Sequence, residues 1–116
     1  LRVGGAFHSA LMEPATKGLA EAVSKLQFKD PRVPIVANCT GEPLTTAEEV
    51  KQELVSQVCS CVQWNRSIDY MLGSGVSYFV EVGPGSALSS MVKRIDKSTE
   101  AVSVGDMDSI LGLRRN

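Results

Sequence analysis

The sequence predicts an α/β layer structure with a mainly parallel sheet. Stretches with helical apolar spacing alternate with short apolar runs, the order that builds layered α/β folds. One of those runs, residues 33–37, is rich in β-branched residues, as a buried strand is, and residues 76–82 read as a second strand. Glycine and proline clusters punctuate the pattern between them. Two or three strands are too few to form a parallel sheet covered on both faces. The remainder is expected from an N-terminal portion outside these 116 residues, which open Leu1-Arg2-Val3-Gly4-Gly5 without an initiator methionine.

Residues 1–7 read as a strand end or loop leading to His8. Pro14 stands where a first helical turn accepts it, and Leu11, Ala15, Leu19, Ala22, Val23 and Leu26 recur at helical spacing, predicting a helix over 13–26. Asp30-Pro31 and Pro34 break that pattern, and Val33-Pro34-Ile35-Val36-Ala37 reads as a short buried strand. Gly41-Glu42-Pro43 is turn chemistry. Thr46-Ala47-Glu48-Glu49 has capping-box spacing and opens a second helix through Val50, Leu54, Val55 and Val58. A third helix carries Trp64, Ile68, Met71 and Leu72 on one face, with Gly73 as its stop. Residues 76–82 (VSYFVEV) form a strand ended by Gly83-Pro84-Gly85, and Ser86 is placed to cap a fourth helix bearing Leu88, Met91, Val92 and Ile95. Residues 101–104 read as a last short strand before a frayed end at Asn116.

Composition narrows the function classes. Hydrophobic residues make up 43% and charged residues 22%, which excludes a disordered chain. Twelve basic against thirteen acidic residues leave a net charge of −1, so the basic excess of a nucleic-acid binder is missing. No apolar stretch approaches the ~18–20 residues of a membrane helix, so no membrane partner is expected. Three cysteines, Cys39, Cys59 and Cys61, point to a reducing, cytoplasmic compartment. Cys59 and Cys61 are separated by one residue and the single histidine is distant, so no metal site is expected.

His8, within Gly5-Ala6-Phe7-His8-Ser9, is the one side chain suited to move protons near neutral pH. Two readings of it stand side by side: an acid–base catalyst, or a loop histidine satisfied by a backbone carbonyl. Ser9 is a poor nucleophile for its own neighbour, and no G-x-S-x-G elbow occurs in these residues. Gly83-Pro84-Gly85-Ser86, between a strand and a helix, is either an anion cradle or a tight turn. It fits neither G-x-G-x-x-G nor a Walker sequence. Lys93-Arg94 closes the fourth helix, as dipole-complementing charges or as a docking point for an acidic partner.

Taken together, Gly5-Ala6-Phe7-His8-Ser9-Ala10-Leu11-Met12-Glu13-Pro14 resembles the histidine segment of malonyl-CoA:acyl-carrier-protein transacylases. The resemblance continues in register through Val33-Pro34-Ile35-Val36-Ala37-Asn38, Leu54-Val55-Ser56-Gln57-Val58 and Val62-Gln63-Trp64. It runs on through Ser67-Ile68-Asp69-Tyr70-Met71, Phe79-Val80-Glu81-Val82-Gly83-Pro84-Gly85 and Leu88-Ser89-Ser90-Met91-Val92-Lys93-Arg94-Ile95.

The resemblance implies the C-terminal part of an α/β-hydrolase-like acyltransferase core, with residues 1–116 as the C-terminal portion of its catalytic domain. It implies a cytoplasmic enzyme of fatty acid biosynthesis, needing no cofactor, whose partners are malonyl-CoA and acyl carrier protein. A serine takes the malonyl group as an ester and passes it to the carrier's phosphopantetheine thiol. His8 corresponds to the general base, and Gln57 to the residue whose backbone carbonyl orients it. Phe7 corresponds to an aromatic residue that accompanies malonyl selectivity, and Lys93 and Arg94 to basic positions facing the acidic carrier. The serine elbow, the oxyanion-hole glutamine loop and the malonyl-pairing arginine are absent from these residues, so the isolated chain is expected to be inactive. Cys59-Ser60-Cys61 stands where the family commonly carries proline. Two alternatives remain: an acyltransferase domain of a polyketide synthase, and a non-catalytic α/β module that binds carrier protein or nucleotide through residues 83–93.

Overall fold

The computed structural model describes residues 5–113; the expectations for residues 1–4 and for the Asn116 end lie outside them. The chain forms two compact units, one ending at Tyr70 and the other beginning at Met71.

In the first unit a 3₁₀ turn, Ala10–Met12, leads into α1 (Glu13–Ser24), with Pro14 in its first turn, where a missing N–H costs nothing. The helix tightens at its end through bonds from Lys25 N–H to the Ala22 carbonyl and from Leu26 N–H to the Val23 carbonyl. α1 packs against α2 (Ala47–Ser56). Of the expected apolar face, Val23 alone is buried, while Leu11 stays 79% exposed.

Residues 33–37 do not form a buried strand. Ile35–Val36 (β1) pairs antiparallel with Pro43–Leu44 (β2), and Val33 is 71% exposed. Pro34 limits pairing on its N-terminal side, and the turn at Gly41-Glu42 folds the chain straight back. That turn is closed by bonds from Ala37 N–H to the Glu42 carbonyl and from Gly41 N–H to the Ala37 carbonyl, both 2.9 Å. Gly41 has φ +72, and a Cβ there would lie 2.7 Å from Arg66 Cβ, so glycine is required on both counts.

The capping box forms. Thr46 Oγ1 accepts from Glu49 N–H, and the Glu49 carboxylate accepts from Thr46 and Thr45 N–H. Asp30 takes the Ala47 N–H at 2.7 Å, so a side chain from outside the box serves another of the free donors that open α2. The Thr45 N–H, then that of Thr46, hold the Glu49 carboxyl below the usual carboxylate range. α3 (Trp64–Gly73) starts in the first unit, where Ile68 is 1% exposed and the Ser67 hydroxyl donates to the Gln63 carbonyl.

The second unit is a β-α-β arrangement. β3 (Tyr78–Val82) and β4 (Glu100–Val104) are parallel, with Tyr78 opposite Glu100 and Val82 opposite Val104. α4 (Ala87–Ile95) packs on both strands and α5 (Met107–Leu113) on β4. Val92, Ala101 and Val104 form its core. The fold class is α/β, its parallel pairing carried by β3 and β4. Tyr78, Val80 and Val82, on one face of β3, remain exposed, Val82 by 82%. No described helix is long and apolar enough to cross a membrane.

Candidate active site

His8 has φ +61, the only non-glycine residue with positive φ among those described. Left-handed backbone is uncommon for a residue with a Cβ, and histidine tolerates it better than most. Such conformations persist where the surroundings hold them in place. Here the His8 N–H donates to the Val58 carbonyl at 2.8 Å, and Nδ1 lies 2.7 Å from the Gln57 carbonyl. A carbonyl oxygen only accepts, so Nδ1 carries the hydrogen and the neutral ring presents a lone pair at Nε2. Nε2 has no hydrogen-bond partner among the described residues. The ring is half-buried.

Gln57 comes directly after the last residue of α2 and keeps helical backbone, φ −65 and ψ −22, with its N–H on the Glu53 carbonyl at 2.9 Å. Its carbonyl is one of the unpaired acceptors that every helix end leaves, and His8 takes it up. The structure thus brings together two residues far apart in the chain. The Asn38 amide reaches the Gln57 side-chain oxygen at 3.5 Å, and the Asn38 carbonyl accepts from Gln63 N–H at 2.7 Å. Ser9 donates its hydroxyl to the Ala6 carbonyl at 2.6 Å, which commits it to the local turn and away from a nucleophile's task. Phe7 is 65% exposed, its ring over Gly5. Cys39 is free, and burial pushes its thiol up, the opposite of the shift that activates a cysteine.

In the second unit, Ser86 occupies the N-cap position of α4 but makes no side-chain cap bond. The Glu81 carboxylate on β3 does this work, accepting from Ser89 N–H at 2.8 Å and Leu88 N–H at 3.1 Å. The Ser103 hydroxyl also donates to it, and Ser89 and Ser103 hydroxyls share a 2.8 Å bond. The Ser89 N–H, then that of Leu88 and the two hydroxyls, hold the Glu81 carboxyl below the usual range. Of the two readings of Gly83-Pro84-Gly85-Ser86, the anion cradle loses its donors, because the Leu88 and Ser89 N–H groups already serve an internal carboxylate, and the tight turn remains. Sequence reading missed Glu81, whose signal is an acidic residue amid the apolar run Phe79-Val80-Glu81-Val82. Lys93 and Arg94 lie exposed in the last turn of α4.

No protein-family model matches the chain. It is 36% identical to the malonyl CoA-acyl carrier protein transacylase of Bacillus subtilis strain 168, over 95% of this chain and 35% of that protein. A crystal structure of the Streptococcus pneumoniae MCAT matches with a TM-score of 0.90 and 37% identity, over 99% of this chain and 37% of that one. A malonyl-transacylase solved in complex with a type II PKS acyl-carrier protein matches with a TM-score of 0.88 and 33% identity, over 100% of this chain and 38% of the other. The chain spans little more than a third of the length of these relatives. In sequence and in fold alike, the chain is similar over nearly its whole length to about a third of the length of these malonyl CoA-acyl carrier protein transacylases.

Proposed function

We propose that this chain is the C-terminal portion of an acyltransferase catalytic domain. In this reading it supplies the general base that moves a malonyl group from malonyl-CoA to the phosphopantetheine thiol of acyl carrier protein, in cytoplasmic fatty acid biosynthesis. The observation that carries the reading is the 2.7 Å bond from His8 Nδ1 to the Gln57 carbonyl, which leaves Nε2 a free base. Exposed apolar residues flanking α1 (Leu11, Leu26) and on β3 (Tyr78, Val80, Val82) support the view that further chain completes the fold.

His8 Nε2 takes the proton of a serine hydroxyl, supplied by the rest of the catalytic domain, as that oxygen attacks the thioester carbonyl. The C–S bond breaks, and the departing coenzyme A thiolate takes the proton from the imidazolium, leaving a malonyl ester. In the second half the ring deprotonates the carrier's thiol, the sulfur attacks the ester, and the proton returns to the serine oxygen. Through both halves the Gln57 carbonyl keeps Nδ1–H in place, the orienting role that an aspartate has in the Ser-His-Asp triad. Phe7 lines the acyl end of the site, and Lys93 and Arg94 meet the acidic carrier protein.

The similarity to a malonyl-transacylase solved with a type II PKS acyl-carrier protein favours one second reading, in which the acceptor is a polyketide carrier. A nucleotide-binding role for residues 83–93 loses its basis, since Glu81 occupies the helix end.

The test is malonyl transfer by the full-length protein carrying this segment. His8→Ala slows it by about 10²–10⁴-fold, the usual value of positioned acid–base catalysis. Near-wild-type transfer by that variant overturns the proposal.

A further inference from the structure

We propose that Val58 is a positioning residue: its carbonyl holds the His8 backbone left-handed, and its buried side chain keeps the Gln57-Val58 carbonyl pair where the histidine needs it. The inference rests on the reading of His8 as the base and extends it to a residue that touches neither substrate nor the reacting ring nitrogen.

Gly5, Ala6 and Phe7, which lead into His8, are exposed, and the Ser9 hydroxyl bonds locally to Ala6. Two hydrogen bonds tie the His8 segment to distant chain among the described residues, and they end on consecutive carbonyls, Gln57 and Val58. One fixes the ring and the other the backbone. Together they restrain φ at +61, where an unrestrained histidine resides only as a minority. If the backbone relaxes to negative φ, the Cα–Cβ bond swings away and Nδ1 leaves the Gln57 carbonyl.

The two carbonyls are in turn set by the turn at the C-terminal end of α2. Gln57 N–H closes the helix on Glu53, and Cys59 N–H turns back to the Ser56 carbonyl at 3.3 Å. From Gln57 to Cys61 the one buried side chain is Val58, at 9% exposure. It is the apolar anchor of a stretch otherwise held by backbone bonds. Truncating it opens a small void and frees the carbonyl to shift, and near-ångström displacements of a catalytic group cost up to about a hundredfold in rate.

The experiment uses the full-length protein, with wild type, Val58→Ala, Val58→Ile and His8→Ala, and ¹⁵N NMR of the His8 ring as a readout independent of turnover. Wild type shows the Nδ1–H tautomer. Val58→Ala gives a mixture with the Nε2–H form, lowers kcat by roughly 10–100-fold and leaves KM for malonyl-CoA within about twofold. Val58→Ile restores both tautomer and kcat. A purely structural valine lowers thermal stability and leaves the tautomer intact, and that result overturns the proposal. If Val58→Ala does not fold, amide exchange of wild-type His8 decides. Exchange slowed at least about tenfold relative to free peptide supports the bond to Val58, and free-peptide exchange overturns it. An active His8→Ala variant contradicts the base assignment and leaves the tautomer result standing on its own.

Discussion

Replacing His8 by glycine and, separately, by alanine isolates what its backbone conformation costs. Both variants lose the ring and its bond to the Gln57 carbonyl, and both keep the N–H that donates to Val58. They differ in how they tolerate φ +61. A left-handed backbone costs a residue with a Cβ about 1–2 kcal/mol and glycine almost nothing. Glycine returns about 0.4–1 kcal/mol of that through the greater freedom of its unfolded chain. His8→Gly is therefore the more stable of the two by roughly 0.5–1 kcal/mol, the reverse of the order at an ordinary site. That difference corresponds to about 1–4 °C in Tm, read by thermal unfolding of the full-length variants under identical conditions. An alanine variant as stable as the glycine one, or more so, shows that the position is not left-handed in solution and removes the structural basis for Val58.

Three other regions of the molecule give outcomes of their own. The depressed Glu81 carboxyl contributes stability that is fully present above the ordinary carboxylate range and is lost as pH falls through its folded value. Wild type should thus lead Glu81→Gln in Tm at pH 7, with the lead shrinking below about pH 4; a lead that does not change with pH contradicts the capping role. Reversing Lys93 and Arg94 to glutamate should raise KM for acyl carrier protein at low salt and leave malonyl-enzyme formation nearly unchanged. Equal carrier KM in variant and wild type rejects a docking role. Phe7→Ser should shift the malonyl to methylmalonyl kcat/KM ratio by the ~1–3 kcal/mol that one methyl is worth in a pocket, and an unmoved ratio rejects the pocket role.

Local chemistry is readable from the sequence, and long-range chemistry is not. Pro14 at a helix start and the Thr46/Glu49 box are decided within one turn of chain, and both stand as the pattern predicts. The β1–β2 ribbon departs from the pattern because an apolar β-branched run looks the same in a buried strand and in an exposed hairpin; the Gly41 turn decides between them. Ser86 has the ordinary cap identity, but Glu81 reaches α4 from the neighbouring strand, a relation set by packing. His8 stands out as a residue type, while its partner does not: a backbone carbonyl leaves no mark on residue identity, so only the family resemblance singles out Gln57. The left-handed turn at His8 is likewise invisible locally, because histidine carries no glycine-like signal for positive φ. The expected apolar face over 11–26 has the spacing of a core-facing helix, yet among the described residues only Val23 of it is buried, and Leu11 and Leu26 stay exposed.

The central claim is that one imidazole, oriented by the Gln57 carbonyl, serves as base in both halves of a malonyl transfer. Rapid-quench measurement of the two half-reactions in full-length wild type and His8→Ala tests it most directly. Coenzyme A release from malonyl-CoA and malonyl appearance on acyl carrier protein are measured separately. Both rates should fall by comparable factors, each within about 10²–10⁴-fold. A variant that loses only one half-reaction, or neither, contradicts the account.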